Sequence, residues 1–232
     1  LDSDLESTDF IENSINFSKE LHLSLGKDNC FLYKRKKIEF DIFVNSCHGG
    51  PGEDGSLQGL LEIMDVKYTG PNLQTAQLCM DKYAFYSLMK TNNLPVLDKF
   101  RIQKNVTPNF KGPYVLKPQF GGSSIGVELV EDYETALKIS ESSDLYERGA
   151  LLEQYLENAD DLLIGVRNYP EFNFSEIEKP IRNSNLFSYE EKYLNNGGLE
   201  GSKRELPAVL SEKICNNIYS YIEKINKIIP SR

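Results

Sequence analysis

Residues 38–46 read IEFDIFVNS, and one residue later residues 48–59 read HGGPGEDGSLQG. The first is a short apolar run that suits a buried strand. The second holds five glycines, a proline, two adjacent carboxylates and one of the chain's two histidines. An ordinary turn needs one or two glycines, so this much backbone freedom beside ionisable groups asks for a ligand-facing loop. Helical spacing follows at once: SLQGLLEIMDV sets Leu57, Leu60, Leu61 and Met64 on one stripe, with Ser56 as N-cap. VKYTGPN closes that unit in turn residues. Residues 74–91 read as a second helix, with Ala76, Cys79, Met80 and Tyr83 on one stripe. Strand, loop, helix, strand, helix restricts the chain to an α/β layer with a parallel sheet. In such sheets ligands bind at the carboxyl ends of the strands, which is where the glycine loop falls. The plainer alternative is a surface turn.

Composition narrows the function classes. With 232 residues, 40% of them hydrophobic, the chain can bury a sizeable core in one to three domains. A net charge of −9 and a pI near 4.9 argue against nucleic acid as partner. No apolar run approaches the roughly 18 residues of a membrane helix, and LDSDLESTDF lacks the basic-then-apolar order of a secretory signal. The expected location is the cytoplasm. Cys30, Cys47, Cys79 and Cys215 lie far apart with no C-x-x-C pair, so a reduced state is expected and no zinc knuckle.

A second region follows TNNLPVLDKF. In PYVLKPQFGGSSIGVELV, Tyr114, Val115 and Leu116 make one strand, and Ile125, Val127 and Leu129 alternate as another. The glycine-serine segment between them reads as a hairpin tip. It matches neither a P-loop nor a dinucleotide fingerprint. Its free backbone N–H groups and hydroxyls nevertheless suit phosphate oxygens, with Lys117 as a point charge; a plain hairpin turn with a solvated lysine is the equal alternative. A helix follows around Tyr133–Ser140. In LLEQYLEN, Glu153 stands among apolar neighbours, where burial demands a donor; a strand edge in water is the alternative. DLLIGVRNYPEFNFSEIEKPI adds one or two strands, and FSYEEKYLNNGG at 187–198 has the composition of a loop that covers a site. At the C-terminus Ile214, Ile218, Tyr221, Ile222, Ile225 and Ile229 share a helical face and read as core packing. With His22 and His48 the only histidines, no Ser-His-Asp arrangement is arguable.

Five blocks, in order, resemble the D-alanine–D-alanine ligases of the ATP-grasp superfamily: HGGPGEDGSLQGLLE, YTGPNLQTAQLCMDKYAFYSLMK, YVLKPQFGGSSIGV, LLEQYL, and FSYEEKY with KRELPAVLSE. The matched region runs from about residue 38 to 215. The resemblance implies an ATP-grasp fold preceded by an N-terminal α/β domain with a parallel sheet. Its regions would be 1–75 (substrate side), 76–157 (central lobe with the glycine-serine hairpin) and 158–232 (part of the C-terminal lobe with a closing loop). The implied reaction joins two D-alanines with ATP for peptidoglycan: one carboxylate is phosphorylated, and the amine of the second D-alanine attacks the acyl phosphate. By motif match, Lys82 and Lys117 hold ATP on its phosphate and adenine sides. Glu153 and the backbone of Tyr155 and Leu156 hold the adenine, and Asp161 is the candidate ribose contact. Ser123 sits near the γ-phosphate and substrate. Lys192 and Tyr193 come from the closing loop, and Tyr193 favours an amine as second substrate. His48 and Glu53 face D-alanine, with the glycines allowing close backbone approach. The family uses Mg2+ (or Mn2+) and commonly forms homodimers.

Departures accompany the match. Asp161 replaces the family's glutamate, and Phe187 stands where tyrosine is common. The family's opening Gly-Ser-Glu segment and its closing R-x-D-F and E-x-N-x-x-P-G segments, which bind two magnesium ions, have no counterpart, so no metal ligand is assigned. Glu223, Asn226 and Pro230 of IEKINKIIPSR have the wrong spacing, and helical periodicity explains them better. An incomplete chain whose full-length form is a ligase is the favoured explanation. A non-catalytic nucleotide-binding relative, a split enzyme, and an ATP-grasp ligase of another carboxylate and amine are the alternatives.

Overall fold

The computed structural model describes residues 21–26, 30–181 and 203–229. They form two compact units. The first comprises the described residues up to Val44 together with Leu60–Thr69, and the second comprises Asn45–Gly59 and the described residues from Gly70 onward.

In the first unit, β1 (His22–Ser24), β2 (Cys30–Tyr33) and β3 (Lys36–Lys37) form an antiparallel meander. Phe31 is buried and stacks on Phe43, with ring centroids 6.0 Å apart. The expected buried strand at 38–46 is reduced to one parallel bridge, Phe43 to Tyr68. Phe43 N–H donates to the Lys67 carbonyl (2.8 Å), and Thr69 N–H donates to the Phe43 carbonyl (3.0 Å). Phe40, Ile42 and Val44 are exposed. An apolar face is covered only where further strands or helices lie on it, and among the described residues no second strand pairs with this segment. The expected parallel sheet is correspondingly limited: every ladder between described strands is antiparallel.

Helix α1 (Ser56–Ile63) follows the glycine loop as expected. Its first turn is met by Asp54, whose Oδ1 accepts the Ser56 N–H at 2.9 Å, so the capping carboxylate lies two residues before the expected Ser56. The single helix expected over 74–91 is two, α2 (Leu73–Met80) and α3 (Lys82–Thr91). Asp81 breaks it. Its carboxylate accepts from Tyr83 and Ala84 N–H at 3.0 and 3.1 Å and from Gln119 Nε2 at 2.9 Å. A short acidic side chain competes with the helix backbone in this way and favours a cap over an interior position.

The larger sheet has the order β4 (Lys99–Arg101), β7 (Ala150–Gln154), β5 (Tyr114–Pro118), β6 (Glu128–Val130). Side chains alternate across it. Tyr114, Leu116, Val130, Ala150 and Leu152 face a core shared with Ala136 of α4 (Tyr133–Ser142) and with Tyr146. Val115, Lys117, Leu151, Glu153 and Lys99 belong to the other face. The β5–β6 pair is the expected hairpin, yet β6 begins only at Glu128 and Ile125 is 52% exposed. Turns from Gly122 and Ser124, closed by Ile125 and Val127 N–H, occupy the residues expected to begin that strand. Gly126 sits at φ +69°, where a Cβ would lie 2.8 Å from Pro118 Cγ. Its lack of a side chain is what lets the tip fold back on β5.

Strands β8 (Leu163–Arg167), β9 (Asn173–Pro180) and β10 (Arg204–Glu205) form a separate antiparallel sheet. Helix α5 (Glu212–Ile228) packs through Tyr221, Ile225 and Ile228, with Ile229, against Met89 and Leu94. The expected core face therefore holds over its second half, whereas Ile214 is 44% exposed. Asn226 exchanges amide hydrogen bonds with Asn168 at 3.0 and 3.1 Å.

Candidate active site

Strand register builds the centre of the site. Lys99 lies directly across from Glu153, and Lys117 lies one pleat from Val115, which is the other cross-strand partner of Glu153. All three side chains leave the same face, so two ammonium groups meet one carboxylate. Glu153 Oε2 accepts from Lys117 Nζ at 2.9 Å, and Oε1 accepts from Lys99 Nζ. Glu153 is 5% exposed and sits on the second strand of the sheet, not on an edge in water. Burial pushes its carboxyl up, but the charges of Lys117 and Lys99 outweigh this and hold it below its ordinary range.

The break at Asp81 places Lys82 beside this pair. Its backbone N–H donates to Gln119 (3.0 Å), and its Nζ donates to the Gly121 carbonyl at 2.7 Å. Burial, then the nearby Lys117 charge, draws the Lys82 ammonium down to about 8. An open cleft of about 770 Å³ is lined by Lys82, Lys117, Ser123, Glu153, Tyr155, Leu156 and Asp161 among others. It thus unites every described residue that the sequence assigned to ATP, together with Ser123. One expectation is narrowed: the Tyr155 N–H already donates to the Pro113 carbonyl (3.0 Å). The Tyr155 N–H is thereby engaged within the protein.

His48 and Glu53 reach the site through Ser123. His48 Nε2 lies 2.6 Å from Ser123 Oγ, and His48 Nδ1 lies 3.8 Å from Glu53 Oε1. Glu53 Oε2 accepts the Gly49 N–H at 2.6 Å, which fixes the carboxylate within its own loop. Ser123, His48 and Glu53 are thus neighbours, but 3.8 Å is too long for a hydrogen bond between His48 and Glu53, so they form no proton relay. The His48–Ser123 contact joins residues 75 positions apart in the chain. Ser123 and Ser124 both take left-handed backbone, φ 53° and 58°, a conformation that non-glycine residues hold where surrounding contacts impose it. In the glycine loop a Cβ on Gly52 would lie 2.1 Å from Cys47 Cβ. The Gly52 carbonyl accepts from Asn45 Nδ2 and Gln58 Nε2 at 2.9 and 2.8 Å. At Gly52, then, the missing side chain lets the loop pack closely on itself.

Sequence reasoning missed Lys99. TNNLPVLDKF reads as a break, yet it carries β4. The available signal was the demand of a buried Glu153 for donors. Lys192 and Tyr193 lie outside the described residues, as does the 187–198 loop. Among the described residues no three His, Cys, Asp or Glu side chains are grouped to hold a metal ion. The expected Mg2+ (or Mn2+) therefore has no ligands assigned among the described residues.

Comparison with known proteins gives the family. Residues 5–71 match the family model described as D-ala D-ala ligase N-terminus, and residues 74–232 match D-ala D-ala ligase C-terminus. The N-terminal match extends well before His48, where the recognisable blocks begin. The chain is 33% identical over 194 residues to the D-alanine--D-alanine ligase of Thermosipho africanus, covering 80% of this chain and 52% of that protein. It spans between 52% and 65% of the length of the most similar curated relatives. In fold it is similar to D-alanyl-alanine synthetase A from Vibrio cholerae, with a TM-score of 0.78 at 21% identity, covering 93% of this chain and 67% of that one. The D-alanine--D-Alanine ligase from Bacillus anthracis complexed with ATP gives a TM-score of 0.62 at 21% identity, covering 82% and 60%. The two family models together take in nearly every residue, and the α/β fold is that of the ATP-grasp enzymes: this chain belongs to the D-alanine–D-alanine ligase family.

Proposed function

We propose that the protein ligates two D-alanines with ATP, and that this chain carries the nucleotide cleft and part of the amino-acid site. The observation that carries the reading is the cleft itself, where Lys82, Lys117, Ser123, Glu153, Tyr155, Leu156 and Asp161 converge in a chain of this family. ATP supplies the phosphoryl group that activates one D-alanine carboxylate for attack by the other's amine. Lys82 and Lys117 neutralise polyphosphate, whose transfer depends mainly on positioning and charge. The backbone at Tyr155 and Leu156, with Glu153, receives the base, and Asp161 receives the ribose. Ser123 orients the first carboxylate, and His48, steadied by Glu53, fixes the Ser123 hydroxyl. Lys192 and Tyr193 are assigned from the sequence to the loop that excludes water.

The family resemblance also supports Mg2+ (or Mn2+) as the companion of ATP, a homodimer, and a cytoplasmic setting. No described helix is long and apolar enough to cross a membrane. The test is D-alanine-dependent release of ADP and phosphate by the full-length protein, with the product identified by mass. D-alanine is to be compared singly and in pairs with D-serine, D-lactate and other amino acids. Formation of D-alanyl-D-alanine is the expected result. ATP binding without D-alanine-dependent turnover overturns the reading in favour of a non-catalytic relative. Preference for another pair overturns the substrate assignment.

A further inference from the structure

We infer that Lys99 is the standing counter-ion of Glu153, and that its presence is what frees Lys117 to leave that carboxylate for a phosphate in the cleft. The inference rests on the nucleotide reading above. The Glu153 side chain is 7% exposed and holds two lysines. The two lysines are not equivalent. Lys99 has a side chain 16% exposed, its Nζ lies 5.9 Å from the centroid of the buried Tyr86 ring, and it is absent from the cleft lining. Lys117 is 25% exposed and lines the cleft. A buried carboxylate stripped of every donor is heavily penalised. With Lys99 in place, Lys117 can exchange Glu153 for a phosphate oxygen and still leave the carboxylate paired. Without Lys99, every phosphate contact made by Lys117 leaves Glu153 bare. The carboxylate and the polyanion then compete for one ammonium.

Titration calorimetry of adenosine, AMP, ADP and ATP on wild type, Lys99→Met and Lys99→Arg separates this from simple support of the fold. Lys99→Met is expected to weaken ADP and ATP by about tenfold or more. Adenosine should change by less than about threefold, and Lys99→Arg should recover most of the loss. Equal loss for adenosine and ATP, or no loss, overturns the inference. Should Lys99→Met fail to fold, the lysine ammonium NMR signals of the wild type decide. ATP is expected to shift the Lys117 signal and leave Lys99 in place; an unmoved Lys117, or a Lys99 that moves with it, overturns the inference. A wild type that binds none of the four ligands removes the nucleotide reading itself, and this inference with it.

Discussion

Replacing Glu153 by Gln keeps the shape of the side chain and removes the one charge that two lysines share. Breaking a buried ion pair costs about 3–5 kcal/mol, because the remaining charge is left uncompensated. Here the lysine side chains are 16% and 25% exposed, so water reaches both and the lower end, about 3 kcal/mol, applies. For a chain of this size each kcal/mol moves the melting temperature by about 2–4 °C, so Glu153→Gln should melt about 6–12 °C below wild type at pH 7. The pH dependence has a fixed sign. Glu153 in the folded chain lies below its ordinary 4.5, since the pull of Lys117 and Lys99 exceeds the upward push of burial. Its contribution is therefore complete above the unfolded value and is lost as pH falls through the folded one. The gap between wild type and Glu153→Gln should be constant from pH 7 to about 5 and should narrow below about 4.5. Circular-dichroism melts across that range read both quantities. A gap under 2 °C at pH 7, or one that stays constant on acidification, refutes the account of the buried cluster.

Lys82→Met should raise stability while weakening ATP binding. The folded chain disfavours the Lys82 ammonium, drawn down to about 8 from 10.5, so stability from this group rises with pH between those values. Removing it should gain about 1 kcal/mol at pH 7 after allowance for its partial exposure, measurable as a higher melting temperature. Asp81→Ala deletes the cap of α3 and the Gln119 contact and should cost about 1–2 kcal/mol by urea unfolding. Gly126→Ala forces a Cβ within 2.8 Å of Pro118 at a left-handed position. It should destabilise by about 1–3 kcal/mol and lower ATP affinity by displacing the Ser123 turn, as read by melting and titration.

From the residues alone only Lys117, the glycine-serine tip with Ser123, and the demand of Glu153 for a donor were legible; Lys82, Tyr155, Leu156 and Asp161 came from the family resemblance. What the sequence could not display were relationships fixed by register. Lys99 meets Glu153 only because β4 and β7 pair residue for residue, and His48 meets Ser123 across 75 positions. Periodicity misled where local polar chemistry competed with it. Asp81 divided one apolar stripe into two helices, and the turns at Gly122 and Ser124 shortened the strand expected from Ile125. At residues 38–46 an apolar run carried no information about how many neighbours would cover it.

The most direct test of the central claim is a crystal structure of the protein with ATP or a non-hydrolysable analogue. The account places the phosphates against Lys82 and Lys117 and the base against the Tyr155 carbonyl and Leu156, with Lys117 moved off Glu153 and Lys99 still on it. A nucleotide bound elsewhere, or one in the cleft that leaves both lysines untouched, contradicts it.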